Sequence, residues 1–259
     1  MKAFLTTILA IGCVVILIVG NLHWKEKTTV IMPEAAQMQT EAKGSSIDSA
    51  SEEVLQLAAN WPVESKKVLE KRLAEGKPFK IQIVGSGALG EGPASWPEIL
   101  KTQLQQEFGE SVIEISINSY DLNSLSYTSD NKQQDIIDAQ PDLVILESFI
   151  LKDNGAVAIE DSLANTKNVL EDVESANPET TFIIQPAHPL YNSQYYPIQV
   201  QNLKEFAEEN NVTYLDHWTT WPDQDNQELT EYLSADNSQP SEKGHEIWAD
   251  YMVEYFISK

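Results

Sequence analysis

The sequence has a single cysteine, Cys13, so no disulfide can form within the chain. Histidine is scarce as well, with four residues, and no Cys/His cluster has the spacing of a zinc site. Neither a metal nor a cofactor is expected. Basic residues are few: 17 Lys and Arg against 40 Asp and Glu leave a formal net charge of -23. A surface of that sign repels phosphate backbones, which excludes a nucleic-acid partner. A phosphate loop is missing too. The stretch GSGALGEG (85–92) contains G-x-G, but no G-K-[ST] follows. Pro93 comes next, and the helix opens only near Ser95, so the dinucleotide fingerprint fails.

Hydrophobic residues make up 42%, enough for a globular body. Residues 3–20 (AFLTTILAIGCVVILIVG) carry no charge, and Lys2 precedes them. That run can just span a hydrocarbon core and exceeds a usual signal-peptide core. No A-x-A site follows, so residues 1–24 are expected to be an uncleaved signal anchor; a cleaved signal is the alternative. The membrane is then a partner through this N-terminal transmembrane segment, with the C-terminal domain extracytoplasmic at the cell envelope. Residues 25–50 are polar and without hydrophobic period, as in a flexible stalk.

Residues 51–76 read as a helical lead-in that ends at Gly76. From 77 to 259 strands alternate with helices. Strands are expected at 79–84, 111–117, 142–147, 180–185 and 212–216, and helices near 95–108, 131–139, 159–176, 195–210 and 241–257. Apolar runs such as LVIL and FIIQ suit parallel strands covered on both faces. The fold class is α/β: a three-layer α/β/α sandwich with a mostly parallel five-stranded sheet.

In such sheets ligands bind beyond the carboxyl ends of the strands. There the sequence places Gly85-Ser86-Gly87, then Glu147, His188, Asp216-His217-Trp218, and the loop 234–245 with Asp236, Gln239 and His245. A serine, carboxylates and histidines are what nucleophilic hydrolysis needs. Each also has a structural alternative: Ser86 as a turn residue, His188 as a loop histidine, His245 as a packed or capping residue, Asp236 as a cap. Tyr191, Tyr195, Tyr196, Trp218 and Trp221 fall in loops on this edge, where they stack on sugar rings or seal the core.

The glycine-ended first strand, WPEIL opening the next helix, PDLVILE, and DNSQPSEKGHEIWADYM near the C-terminus together resemble the SGNH/GDSL hydrolase superfamily. The resemblance covers about residues 79–258. It implies a flavodoxin-like sandwich and serine esterase or acetyl esterase chemistry on a small-molecule or glycan ester, such as an acetyl group of a cell-envelope glycan. The family blocks carry over unevenly. Where the family has G-D-S, this chain has Gly85-Ser86-Gly87, with glycine at the nucleophile position. Where the family has D-x-x-H-P, it has Asp236-Asn237-Ser238-Gln239-Pro240, with glutamine in place of the histidine. The second block, INSYDLNS, has no glycine, and the third offers Asn154 only with a shift.

An active domain would therefore use Ser86 as nucleophile and His188 or His245 as base. Asp236 would orient that base, and Asn154 would support the oxyanion. Gly85, Gly87, Glu147, Tyr191, Trp218 and Gln239 would line the substrate. The alternative is a domain that keeps the sandwich without the chemistry and binds an envelope glycan or a partner protein.

Overall fold

The computed structural model describes residues 50–259, so the expected anchor and nearly all of the stalk lie outside the described residues. Among the described residues, no helix is long and apolar enough to cross a membrane.

A lead-in helix α1 (50–57) precedes α2 (Val63–Glu75). The sandwich then runs β1 (Phe79–Ser86), α3 (Trp96–Phe108), β2 (Ile113–Tyr120), α4 (Ser124–Ser129), α5 (Gln134–Ala139), β3 (Leu143–Glu147) and α6 (Ile150–Asp153). It continues through α7 (Ile159–Ala176), β4 (Thr181–Gln185), α8 (Tyr196–Glu209), β5 (Thr213–Tyr214) and α9 (Glu242–Phe256). The sheet order is β2-β1-β3-β4-β5, and every pairing is parallel.

Strand alternation sorts the core into two layers. Ile81, Ile83, Leu143, Ile145 and Ile183 face α3 and α9, against Leu100, Trp248 and Met252. Val84, Val144, Leu146 and Ile184 face α7 and α8, against Val169, Val173, Val200 and Leu203. Both faces are covered, as the uninterrupted apolar runs require.

Two departures from expectation matter. Strand β1 runs two residues past the expected end, pairing Gly85 with Ser119 and Ser86 with Tyr120. In the second, the helix expected at 131–139 is shortened to α5 (Gln134–Ala139), and an unexpected short helix, α4, precedes it, capped by Asn123, which accepts the Ser126 N–H at 2.9 Å.

The lead-in is part of the packing. The Trp61 indole donates to the Phe256 carbonyl at 2.8 Å and packs against Phe79, Phe108 and Phe256 with centroids 5.2–5.6 Å apart. The Ser258 N–H reaches the Leu57 carbonyl at 2.8 Å.

Strand order reverses between β1 and β3, since the chain leaves β1 for β2 on one side and returns to β3 on the other. Their carboxyl ends form the crevice where doubly wound sheets place ligands.

Candidate active site

That crevice is closed by Glu147 at the end of β3. A Cβ built on Gly85 would lie 2.7 Å from both Cβ and Oε2 of Glu147, so only glycine fits beside it. The Ser86 N–H donates to Glu147 Oε2 at 2.5 Å. Burial pushes the Glu147 carboxyl up to about 7; the Ser86 N–H and hydroxyl pull it the other way without prevailing. Its Oε1 has no hydrogen-bond partner among the described residues. Gln185, its register partner on β4, accepts from the Trp248 indole at 3.1 Å and leaves its own Nε2 unpaired.

Ser86 is 1% exposed. Its Oγ accepts the Ala88 N–H at 3.2 Å and starts the short 3-10 turn Gly87–Leu89, while Ser119 Oγ donates to its carbonyl at 3.0 Å. Its backbone is extended, so Ser86 continues the row of Val84, and Gly87 continues the row of Gly85. Gly87 faces Gln239: a Cβ on Gly87 would lie 4.0 Å from Gln239 Nε2.

Gln239 is presented by a loop closed by the Leu233–Pro240 bridge. Asp236 staples that loop, accepting from Ser234 Oγ at 2.6 Å and from Ser238 N and Oγ at 3.2 and 2.8 Å. These bonds, led by the Ser234 hydroxyl, lower its carboxyl to about 2. Asp236 is exposed and bonds to no histidine among the described residues.

The histidines are individually placed. His245, in the first turn of α9, accepts the Trp96 N–H on Nδ1 at 3.3 Å and so caps the start of α3. In the neutral ring the proton is then on Nε2, which packs at Gly90: a Cβ there would be 2.6 Å away. Gly90 has φ +74°, the left-handed region, so glycine is required twice over. Burial lowers His245 to about 4. His217 accepts the Trp221 indole N–H on Nδ1 at 3.0 Å and donates from Nε2 to the Pro186 carbonyl at 3.0 Å. It stacks on Trp248 at 4.1 Å, and burial drops it to about 3. His188 is fully buried with both ring nitrogens unpartnered among the described residues. Burial, then His245, lowers it to about 3, so it is neutral.

The GDSL-like Lipase/Acylhydrolase family matches residues 82–247, more than half of the chain. The chain belongs to this family. No curated protein matches it. Among solved structures, a candidate GDSL-like lipase of Parabacteroides merdae superposes with a TM-score of 0.59 at 13% identity, covering 70% of this chain and 96% of that one. Axe2, an acetylxylan esterase from Geobacillus stearothermophilus, gives 0.53 at 17%, covering 70% and 95%. The esterase EstA from Pseudoalteromonas gives 0.52 at 15%, covering 68% and 96%. At these identities the likeness is one of fold.

Within this GDSL-like hydrolase domain, Ser86 bonds to no histidine among the described residues, and Asp236 orients none of them. The relay expected from Asp236 through His188 or His245 to Ser86 is not assembled, because the strand pleat turns Ser86 away from the row that faces Gln239. Asn154 is exposed at the end of α6 and not at the crevice; Asp153 takes the buried position, accepting the Ser124 N–H at 2.8 Å. Glu147 does not line an open pocket, being fully buried. Trp218 donates to the Ala187 carbonyl at 2.7 Å and packs edge-on to Tyr196. Tyr191 is half-buried against the core, Tyr196 and Trp221 are buried, and Tyr195 is 73% exposed. A groove of about 590 Å³, lined by Trp61, Val63, Thr181 and Tyr255, lies away from this edge, at the amino ends of the strands.

Sequence reasoning missed Gln185 and the Trp96 amide. Gln185 had a signal, since it closes the apolar run FII with a polar side chain that burial cannot ignore. The Trp96 amide had none.

Proposed function

We propose that this GDSL-like domain recognises an acyl ester, such as an acetylated cell-envelope glycan, at the carboxyl edge of its sheet and does not turn it over through a serine–histidine relay. One observation carries the reading. Gly87 and Gln239 occupy the positions the family pattern assigns to nucleophile and base, and a Cβ built on Gly87 would lie 4.0 Å from Gln239 Nε2, so neither side offers a nucleophile or a base. A glutamine amide can donate to a carbonyl oxygen, so an ester is bound without being attacked. No lysine or arginine is part of this cluster, which favours a neutral ligand over a phosphate or carboxylate.

Membrane attachment through residues 3–20, with the domain outside the cytoplasm, belongs to the same proposal; cleavage and secretion is its variant. The uncharged run and the polar stretch after it support attachment. Protein that stays in the membrane fraction after an alkaline wash and is digested by protease added to intact cells would bear this out. Release by the wash would overturn it.

Hydrolysis with Ser86 as nucleophile is the second reading. Family membership favours it, as does His188, a neutral imidazole with both nitrogens uncommitted. The deciding experiment treats the full chain with a fluorophosphonate serine probe and measures its binding to O-acetylated and de-O-acetylated oligosaccharides. Acetyl-dependent binding without labelling supports the proposal. Labelling that disappears in Ser86→Ala establishes the esterase instead.

A further inference from the structure

The groove at the amino ends of the strands lies at the opposite end of the sheet from Gly87 and Gln239. We propose that it is a second binding site, and that its ligand is a short segment of neutral carbohydrate. The inference stands apart from the reading of the carboxyl edge, and it holds whether that edge binds an ester, cleaves one or does neither.

The fold explains why the groove exists. Strand β5 holds only Thr213 and Tyr214, so the sheet stops short beyond β4. Thr213 pairs with Ile183, next to Phe182. The lead-in passes at Asn60–Pro62, between α1 and α2. It is tied there by the Trp61 indole on the Phe256 carbonyl and by the Ser258 N–H on the Leu57 carbonyl, both at 2.8 Å. The short sheet end and the lead-in form two walls, and Glu174 of α7 and Asn210-Asn211 after α8 complete the lining. The volume of about 590 Å³ falls in the range of small-ligand clefts, roughly 300–1,000 Å³.

The lining has a consistent chemistry. Phe182 and Tyr255 are half-buried and belong to opposite core layers, Phe182 to the one under α7 and α8, Tyr255 to the one under α3 and α9. Val63, which also lines the groove, is 62% exposed, an unusual position for so large an apolar side chain. Uncharged hydrogen-bonding groups surround these apolar surfaces. The side chains of Asn60, Asn211 and Thr213 bond to nothing among the described residues. Asn210 donates from Nδ2 to the Phe206 carbonyl at 2.8 Å and keeps its Oδ1 as an acceptor. Amides and hydroxyls both donate and accept, which matches the hydroxyls of a sugar, while the apolar faces of sugar rings match Phe182, Tyr255 and Val63.

Charge narrows the ligand further. No lysine or arginine lines the groove. With a net charge of -23 on the chain, phosphate, sulfate and carboxylate ligands are repelled. Of the two carboxylates in the lining, Glu64 is paired with Lys67 at 2.7 Å. A cationic ligand would gain little from the exposed Glu174 alone. A carboxylate does, however, accept from two neighbouring hydroxyls at once, so Glu174 suits a neutral polyol.

Ligand-observed saturation-transfer NMR on the full chain tests this with cellotetraose and maltotetraose, neutral tetrasaccharides that differ in linkage and carry no acetyl group. At least one should receive transfer at its ring protons. In the double variant Glu174→Ala with Asn211→Gly its affinity should fall roughly tenfold, the effect of two lost hydrogen bonds. Both residues are exposed, and glycine tolerates the left-handed backbone of Asn211, at φ +55°, so the variant is expected to fold. Thr213→Val removes one hydroxyl at nearly constant shape and should weaken binding about threefold; it decides if the double variant does not fold. Unchanged affinity in these variants would place the sugar elsewhere on the chain and overturn the site. Absence of transfer to either sugar at concentrations up to about 10 mM would overturn it too. Transfer to tetra-alanine and to neither sugar would overturn the carbohydrate assignment in favour of a peptide. No probe carries an ester, so failure of acetyl-dependent binding at the carboxyl edge leaves this site standing.

Discussion

Gln239 Nε2 points at the space above Gly87, 4.0 Å from where a Cβ would begin. Nothing else lies within that distance of the added carbon. The pair is complementary in shape and inert in chemistry: one side lacks an attacking atom, and the other lacks a basic nitrogen.

Restoring both halves should restore reactivity. The double substitution Gly87→Ser with Gln239→His is expected to gain fluorophosphonate labelling and to raise aryl acetate hydrolysis by about 100-fold, the lower range for an aligned general base. Gly87→Ser alone should gain little. A folded double variant with no gain would mean that residue 239 does not aim at residue 87 closely enough for proton transfer.

Neighbouring glycines should respond oppositely to a methyl group. Gly85→Ala forces a carbon to within 2.7 Å of Glu147 and should cost about 1–3 kcal/mol in urea unfolding. Gly87→Ala meets only Gln239 Nε2, at an ordinary contact distance of 4.0 Å, and should shift stability by less than about 0.5 kcal/mol. Equal losses at the two positions would refute the close approach of β1 and β3.

His245 is assigned here to capping. His245→Ala should lower stability by about 1 kcal/mol through the orphaned Trp96 N–H, and should leave reactivity toward the fluorophosphonate probe at the wild-type level. Reactivity abolished in a stable variant would make His245 a base after all.

Acid should weaken the fold before base does. His188 and His217 are held neutral, with values lowered from 6.5 to about 3. Their contribution is complete above pH 6.5 and is lost progressively as pH falls toward 3. Glu147 acts the opposite way: raised from 4.5 to about 7, it contributes fully below pH 4.5, and this is lost as pH rises through 7. These two histidines, joined by His245, which burial lowers to about 4, outweigh the one carboxyl and should make the urea midpoint higher at pH 6.5 than at pH 5. Glu147→Gln should narrow any decline between pH 6.5 and 8. A midpoint that falls from pH 5 to 6.5 would contradict this balance.

The sheet was readable because the apolar runs LVIL and FIIQ suit strands covered on both faces, and the edge was readable because polar residues end or follow most of the strands. Boundaries slipped where ladder pairing decided: β1 gained Gly85 and Ser86 from its partner strand, and β5 kept only Thr213 and Tyr214. The site was legible as a set of positions and not as contacts. That Glu147 needs a glycine at 85, or that His245 caps a helix 149 residues earlier, depends on distances across the fold that no local pattern encodes. The departures at Gly87 and Gln239 were visible in the sequence; that they meet face to face required coordinates.

Trp61 sits 21 residues before the first position the family match covers, yet its indole is bonded to the far end of α9 and wedged among three phenylalanines. Phe256 lies beyond the other limit of that match. The outline by which kinship is recognised is thus smaller than the unit that must fold. A fragment trimmed to residues 82–247 would be cut through its own hem, leaving the floor of the sheet open to water.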